Sequence, residues 1–359
     1  MRRYLFLAII CALPLLGAGC LSVDKQTKTT GPAGMFVSAD KGDNWKQSSA
    51  MPTLKGVTQL DGVSVYRMFE DPSDPKALYW ASRGEGFFYS YDDGTTWQHA
   101  KAPLNTGIVY SISVDPADTC TVYVTNGSKL YKTTDCSRNW TEVYREDRDI
   151  ARIATVYVDR IKNNRVYLGK ANGELLVSND GGASWTMLKQ FTKKARITHL
   201  VADSVDPKIL YLATLTDGLY RSVDSGETWT HLIDPIKKFS KATNFRRLVV
   251  HPKQQSTLFW VSEYGILKTT NGGDSWEGLK LVTPPGSVPI YAFGMSAQNE
   301  KEMYYTTFQN GRTTFYKTDD GGQSWSTRKL PSGQIPTFLR VHPEDDSIVF
   351  VGFSIPPKK

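Results

Sequence analysis

Seven carboxylates, Asp61, Glu85, Glu146, Asp147, Asp149, Asp217 and Glu263, fall between apolar segments where loops of one face are expected. Hydrolysis of a glycoside needs two such groups held about 5–10 Å apart across a cleft, and none of the seven stands in a recognisable motif. The five histidines, His99, His199, His231, His251 and His342, are scattered, and no Cys/His cluster has the spacing of a zinc site. His251 and His342 occupy equivalent His-Pro corners, which points to a structural role. There is no glycine-rich phosphate loop, and the sequence implies no cofactor or metal. The sharpest concentration of charge is basic. Lys189, Lys193, Lys194 and Arg196 lie in one segment, Lys237, Lys238 and Lys241 in the next, and Arg246 and Arg247 open the strand that follows. Such a cluster suits an acidic protein segment, an anionic glycan or a lipid headgroup; equally, it suits a solvated rim.

These residues are positioned by a repeat. An octapeptide of pattern S/T-x-D-x-G-x-x-W recurs seven times, with its tryptophans (Trp45, Trp97, Trp140, Trp185, Trp229, Trp276, Trp325) 43 to 52 residues apart. Its acidic position is Asp40, Asp92, Asp135, Asp180, Asp224, Asn271 and Asp320. Each residue has a physical task in a hairpin connection. The Asp accepts backbone N–H bonds within the turn, the Gly permits positive φ, and the Trp buries its ring between neighbouring units. Asn271 keeps the acceptor. Ser137 replaces the glycine of the third copy, so that turn is expected to be strained or reshaped. These residues are read as structural, and catalytic residues are read as none.

Between the octapeptides runs an apolar strand, often an Asp-Pro or His-Pro corner, and a second apolar strand, as in Val65–Pro72 with Ala77–Ala81. A third strand leads into each box and a fourth begins at each Trp. Four short strands per roughly 45 residues make the blade of a β-propeller. Residues 338–343 and 347–353 supply the first two strands of a blade, and residues 35–38 with Trp45 onward supply the other two. The expectation is therefore a single all-β propeller of seven four-stranded blades, closed by its own N- and C-terminal strands, over residues 35–359. The boxes lie on one face, and the longer loops 47–62, 143–150, 188–196, 231–244, 279–289 and 328–336 lie on the other.

The octapeptide resembles the Asp-box, or BNR, repeat. Sialidases with this repeat use three arginines, a Tyr–Glu pair and an early Phe-Arg-Ile-Pro segment. The nearest string here, Phe245-Arg246-Arg247-Leu248, is late and departs at two positions. Family-74 xyloglucanases carry two such propellers in tandem, and sortilin-type receptor domains carry more blades and a cysteine-rich module. The sequence is most similar overall to single-propeller exported proteins of the photosystem II stability/assembly-factor type. That resemblance implies a non-enzymatic scaffold that binds a membrane-protein segment. The alternative is a carbohydrate-active enzyme with its site at the central channel.

The chain opens with Met1-Arg2-Arg3, an apolar run from Tyr4 to Leu16, and Gly17-Ala18-Gly19-Cys20. The run is short for a bilayer span and right for an export signal. The small residues ending in Cys resemble a bacterial lipobox, with Gly17 where Leu is usual. The reading is a signal peptide over residues 1–19, a lipidated Cys20 with a tether to residue 34, and a cell-envelope location on the periplasmic or extracellular side, attached to membrane by lipid. Two cysteines remain, Cys120 and Cys136. An exported domain favours their pairing, and a hairpin turning at Asn126-Gly127 brings both to one end; two unpaired thiols are the alternative. The net charge of +7 falls to +5 without Arg2 and Arg3, too sparse for a nucleic-acid binder. The expected partner is a protein or glycan, and the expected state is a monomer.

Overall fold

The computed structural model describes residues 29–192 and 195–356. They form seven four-stranded antiparallel blades, each with its strands in radial order. Blade 1 contains Arg67–Glu70, Leu78–Ala81, Phe87–Ser90 and Gln98–His99. Blades 2 to 6 start from the inner strands Ser111–Asp115, Ile153–Val158, Ile197–Ala202, Phe245–Val250 and Ile290–Met295. Blade 7 is shared by the two ends of the propeller. Its inner strands are Ile335–Val341 and Val349–Ser354, and Gly34–Ser38 pairs with the latter over five positions, Gly34↔Phe353 to Ser38↔Val349. Among the described residues no helix is long and apolar enough to cross a membrane.

Position within a blade dictates residue type. Second strands such as Leu78–Ala81, Val166–Lys170 and Leu210–Thr214 are buried at every residue, whereas the outer strands Gln98–His99 and Ser326–Arg328 are exposed throughout. A middle strand has both faces covered by adjacent blades, so it reads as a continuous apolar run rather than an alternating one.

The boxes hold the blades together. In the first, Ser38 Oγ donates to Asp40 Oδ1 at 2.7 Å, Asn44 N–H donates to the same oxygen at 2.8 Å, and Gly42 N–H donates to Ser38 Oγ at 2.8 Å. The tryptophan rings reach the preceding blade. Trp45 sits 5.5 Å from Phe315, Trp140 5.8 Å from Phe87 and Trp185 5.6 Å from Tyr144. Only Trp97 is fully buried; the other six are partly exposed, so full burial between blades holds for one copy. The third box keeps its Asp135 bonds, with Asn139 N–H at 2.9 Å. It lacks the N–H bond that the glycine makes in the other six boxes, and Ser137 is forced to φ +66°. A disulfide joins Cys120 to Cys136 beside it.

Two connections carry structure that their polar composition does not announce. The segment after blade 7 folds into a hairpin, Ala50–Thr53 with Gly56–Gln59, and the segment after blade 4 contains the one-turn helix Ile233–Lys237.

Candidate functional site

The inner strands open toward a central channel. Near the head of each strand the register slips by one residue in blades 3 to 7, at Ile153/Thr155, Ile197/His199, Phe245/Arg247, Ile290/Ala292 and Pro336/Phe338. A bulge of this kind frees one residue from the ladder and re-aims its side chain. The freed positions, with their equivalents in blades 1 and 2, ring the mouth of the channel: Tyr66, Tyr110, Ala154, Thr198, Arg246, Tyr291 and Thr337. The next ring inward is Arg67, Ser111, Thr155, His199, Arg247, Ala292 and Phe338.

Three arginines, Arg246 in the outer ring and Arg67 and Arg247 in the inner one, supply the charge of the two rings. Arg67 reaches from blade 1 across the channel, donating to the Tyr110 carbonyl of blade 2 at 3.2 Å and the Thr198 carbonyl of blade 4 at 3.3 Å. Arg247 of blade 5 donates to the Thr337 carbonyl of blade 7 at 2.5 Å. Together they form a cationic waist that divides the channel into a cavity of about 720 Å³ on the mouth side and one of about 700 Å³ on the box side. Neither Arg67 nor Arg247 has a carboxylate within ion-pair distance among the described residues. Burial and the neighbouring Arg67 push the Arg247 guanidinium down to about 10. Burial also lowers Arg67, and it holds His199 well below the usual imidazole range, with Arg67 and Arg247 adding to that effect. A neutral imidazole between two guanidinium groups follows from like-charge repulsion in a poorly solvated site.

At the mouth, arginines lie over tyrosine rings: Arg83 4.6 Å from the Tyr66 centroid, Arg152 5.3 Å from Tyr110 and Arg246 5.4 Å from Tyr291. Arg152 also donates to the Tyr110 hydroxyl at 2.5 Å. The rings hold the guanidinium groups in place without neutralising them.

The basic cluster read from the sequence is divided by the structure. Lys193 and Lys194 lie outside the described residues. Arg196 is exposed, as are Lys237, Lys238 and Lys241, but Lys237 sits 3.5 Å from Asp234 and Lys241 2.8 Å from Glu263. Arg246 and Arg247 leave the surface patch and enter the channel. Sequence reading missed Arg67, Arg83, Arg152 and their tyrosines. The available signal was positional: Tyr66-Arg67, Tyr110, Arg152, Arg196, Arg246-Arg247 and Tyr291 all sit at the head of an inner strand.

None of the seven carboxylates lines either cavity. Glu146 is locked to Lys170 at 2.5 Å and to Arg148 at 2.8 Å, and those bonds hold it down at about 2. Glu263 pairs with Lys241, and Asp217 accepts from Tyr220 at 2.6 Å. Glu70, at the box-side end of the channel, is tied to Arg340 at 3.0 Å. His251 and His342 accept backbone N–H bonds at their corners through Nδ1, at 3.1 Å and 3.2 Å. No group of His, Cys, Asp and Glu among the described residues is arranged to hold a metal.

The fold has many solved likenesses. A GH74 xyloglucanase from Xanthomonas campestris superposes with a TM-score of 0.60 at 15% identity over 81% of this chain and 51% of its own. The GH74 enzyme of Niastella koreensis gives 0.62 at 16%, over 89% and 53%. YCF48 from Cyanidioschyzon merolae gives 0.60 at 14%, over 81% and 96%, and a YCF48 bound to D1 peptide gives 0.60 at 13%, over 81% and 94%. The chain thus spans about half the length of the GH74 enzymes and nearly all of the YCF48 propellers, and at these identities the likeness is one of fold. No curated protein matches in sequence. The family model described as Sortilin, neurotensin receptor 3, matches residues 33–171 and 173–283. The chain belongs to the Sortilin-Vps10 family.

Proposed function

We propose that this propeller is an exported binding or assembly scaffold, tethered to a membrane through a lipidated Cys20 after removal of residues 1–19, and acting as a monomer on the periplasmic or extracellular side. Its channel mouth receives an acidic segment of a protein or a glycan. One observation carries the reading: Arg67, Arg83, Arg246 and Arg247 line a cavity of about 720 Å³ at the channel mouth, Arg152 and Arg196 precede inner strands on the same side, and none of the six forms an ion pair among the described residues. Arg67 and Arg247, half-buried in the channel without a counter-ion, carry a desolvation cost that an anionic ligand would offset. The likeness to a YCF48 bound to D1 peptide supports a peptide, and that to xyloglucanases supports a glycan.

The test is fluorescence anisotropy of residues 21–359 with a labelled Asp/Glu-rich decapeptide and its Asn/Gln counterpart. The acidic peptide is expected to bind at least about tenfold tighter, and Arg67→Ala with Arg247→Ala to remove the difference. Equal binding of the two peptides would overturn the reading. So would reducing-sugar release from a polysaccharide panel that is abolished by a single change at Asp61, Glu85 or Asp217.

A further inference from the structure

The chain joins the propeller on the mouth side. Thr30 O accepts from Gly333 N–H at 2.8 Å, Gln334 Nε2 donates to Gly31 O at 3.0 Å, Ser332 Oγ donates to Pro32 O at 2.6 Å, and Ala33 N–H donates to Asp61 O at 2.7 Å. These contacts stitch residues 30–33 between the loop that precedes the inner strand of blade 7 and the loop that precedes that of blade 1. Ile335, next to the stitched loop, lines the mouth-side cavity. From Cys20 to Thr29 there are nine residues, a reach of about 30 Å at full extension. An anchor at Cys20 would therefore hold the disc with its channel mouth toward the bilayer and its boxes away from it.

The mouth has the composition of a membrane-apposed surface. Arg83, Arg152 and Arg246 lie over Tyr66, Tyr110 and Tyr291, and tyrosine and arginine are the side chains that place an apolar body and a polar tip across a headgroup layer. Two large aliphatics stand exposed there, Ile150 at 80% and Ile355 at 43%. Arg83, Arg152, Arg196, Lys238 and Arg246 form no ion pair among the described residues; nor do Asp61, Glu85, Asp147 and Asp149 on the same side. With Arg67 and Arg247 inside the mouth, and with Asp217, whose nearest charge partner is His231 at 3.8 Å, counted among the carboxylates, the balance is positive.

We infer that the channel mouth is a docking face for anionic phospholipid headgroups, which orients the tethered propeller flat on its membrane. The inference rests on the reading of the mouth as the binding face and narrows where its partner segment must be: at the bilayer surface. The surplus of charge is small, so this contact orients a protein already held by its anchor. A single acyl chain and a basic patch reinforce each other in this way.

The test is co-sedimentation with vesicles at low salt. Residues 21–359 retain every contact described above and lack the lipidated residue. Vesicles of phosphatidylcholine with 30% phosphatidylglycerol are expected to bind this chain at least about tenfold more tightly than phosphatidylcholine alone. The Arg83→Glu, Arg196→Glu, Arg246→Glu triple variant is expected to lose that preference. Each basic residue near an anionic surface contributes about a factor of five, so reversing three of them is enough to abolish a preference of about tenfold. Lys76→Glu, Lys208→Glu, Lys253→Glu on the box side is expected to leave binding within about twofold. If the triple variant fails to fold, Arg83→Gln with Arg196→Gln, both exposed, decides the matter. Equal binding to the two vesicle types, or equal loss in the two triple variants, overturns the inference. Acidic-peptide binding that survives while lipid preference is missing would defeat the lipid surface alone; loss of both would defeat the mouth as a binding face.

Discussion

The two ends of the channel use arginine differently, although Arg160, which lines the box-side cavity, forms no ion pair among the described residues. On the box side Arg340, with its side chain 4% exposed, is held by Glu70 at 3.0 Å and Asp93 at 3.2 Å, and it locks blade 7 to blade 1. Arg165 pairs with Glu227 at 2.9 Å, Arg221 with Asp274 at 3.0 Å and Arg328 with Asp43 at 2.7 Å. On the mouth side Arg67 is held by backbone carbonyls and Tyr66, Arg247 by a backbone carbonyl, and Arg83, Arg152 and Arg246 by carbonyls, a tyrosine hydroxyl or tyrosine faces. The fold needs the first set; the second set is a cost that a ligand would offset. Arg148 is the exception that clarifies the rule. It lies on the mouth-side rim, yet it bridges Glu146 and Glu174 above the buried Lys170, because there it joins blade 2 to blade 3.

The largest expected effect separates the two sets. Arg340→Met leaves Asp93 and Glu70 without their cation at a blade junction. It should cost about 3 kcal/mol in denaturant unfolding, at the low end for a buried pair because Glu70 is 42% exposed. Arg67→Met removes a half-buried cation that has no counter-ion, so stability should hold or rise while acidic-peptide binding falls. Comparable losses of stability in the two variants would break the comparison.

The architecture was legible because its signal is repeated. Seven boxes at near-constant spacing fix the number of blades, and the half-blade at each end of the repeat array fixes the closure between Gly34–Ser38 and Val349–Ser354. The site was legible only in part. Arg246 and Arg247 stand out as a dipeptide, but Arg67, Arg83 and Arg152 are single residues from three blades, and only the ring brings them together. The surface lysines misled for a related reason. Lys241 has its counter-charge in Glu263, 22 positions later, and no local pattern shows that pairing. The helix at 233–237 forms within a connection, held by packing of Ile233 and Ile236 rather than by its own propensity, whereas the mostly exposed hairpin at 50–59 is held by its own ladder.

A second effect uses the neutral histidine of the waist. His199 is depressed in the folded protein by burial and by the two arginines, whereas its unfolded value is the ordinary 6.5. Below pH 6.5 the unfolded chain takes up a proton that the folded chain refuses, so this contribution to stability is intact above pH 6.5 and declines as the pH falls. The slope for one such group is about 1.4 kcal/mol per pH unit. Stability should therefore fall as the pH drops below 6.5, with His251, lowered by burial, adding to the slope. His199→Gln should flatten that segment of the stability–pH curve, and Arg67→Met should flatten it partly. The carboxylates of the box turns, such as Asp40 held down at about 2, titrate only at lower pH and add nothing to this slope.

The smallest effect tests the structural side alone. Six boxes place glycine where φ is strongly positive, and the third forces Ser137 to +66° next to Cys136 at +54°. A β-carbon in that region costs roughly 1 kcal/mol, and this box also lacks the N–H bond made by the other six. Ser137→Gly should therefore raise stability by about 1 kcal/mol in denaturant unfolding, despite the added freedom of the unfolded chain. Acidic-peptide and vesicle binding should remain unchanged, because the box lies on the face opposite the mouth. A gain in stability accompanied by altered binding would mean that the two faces are coupled through blade 2, and that the division of labour between them is not a clean one.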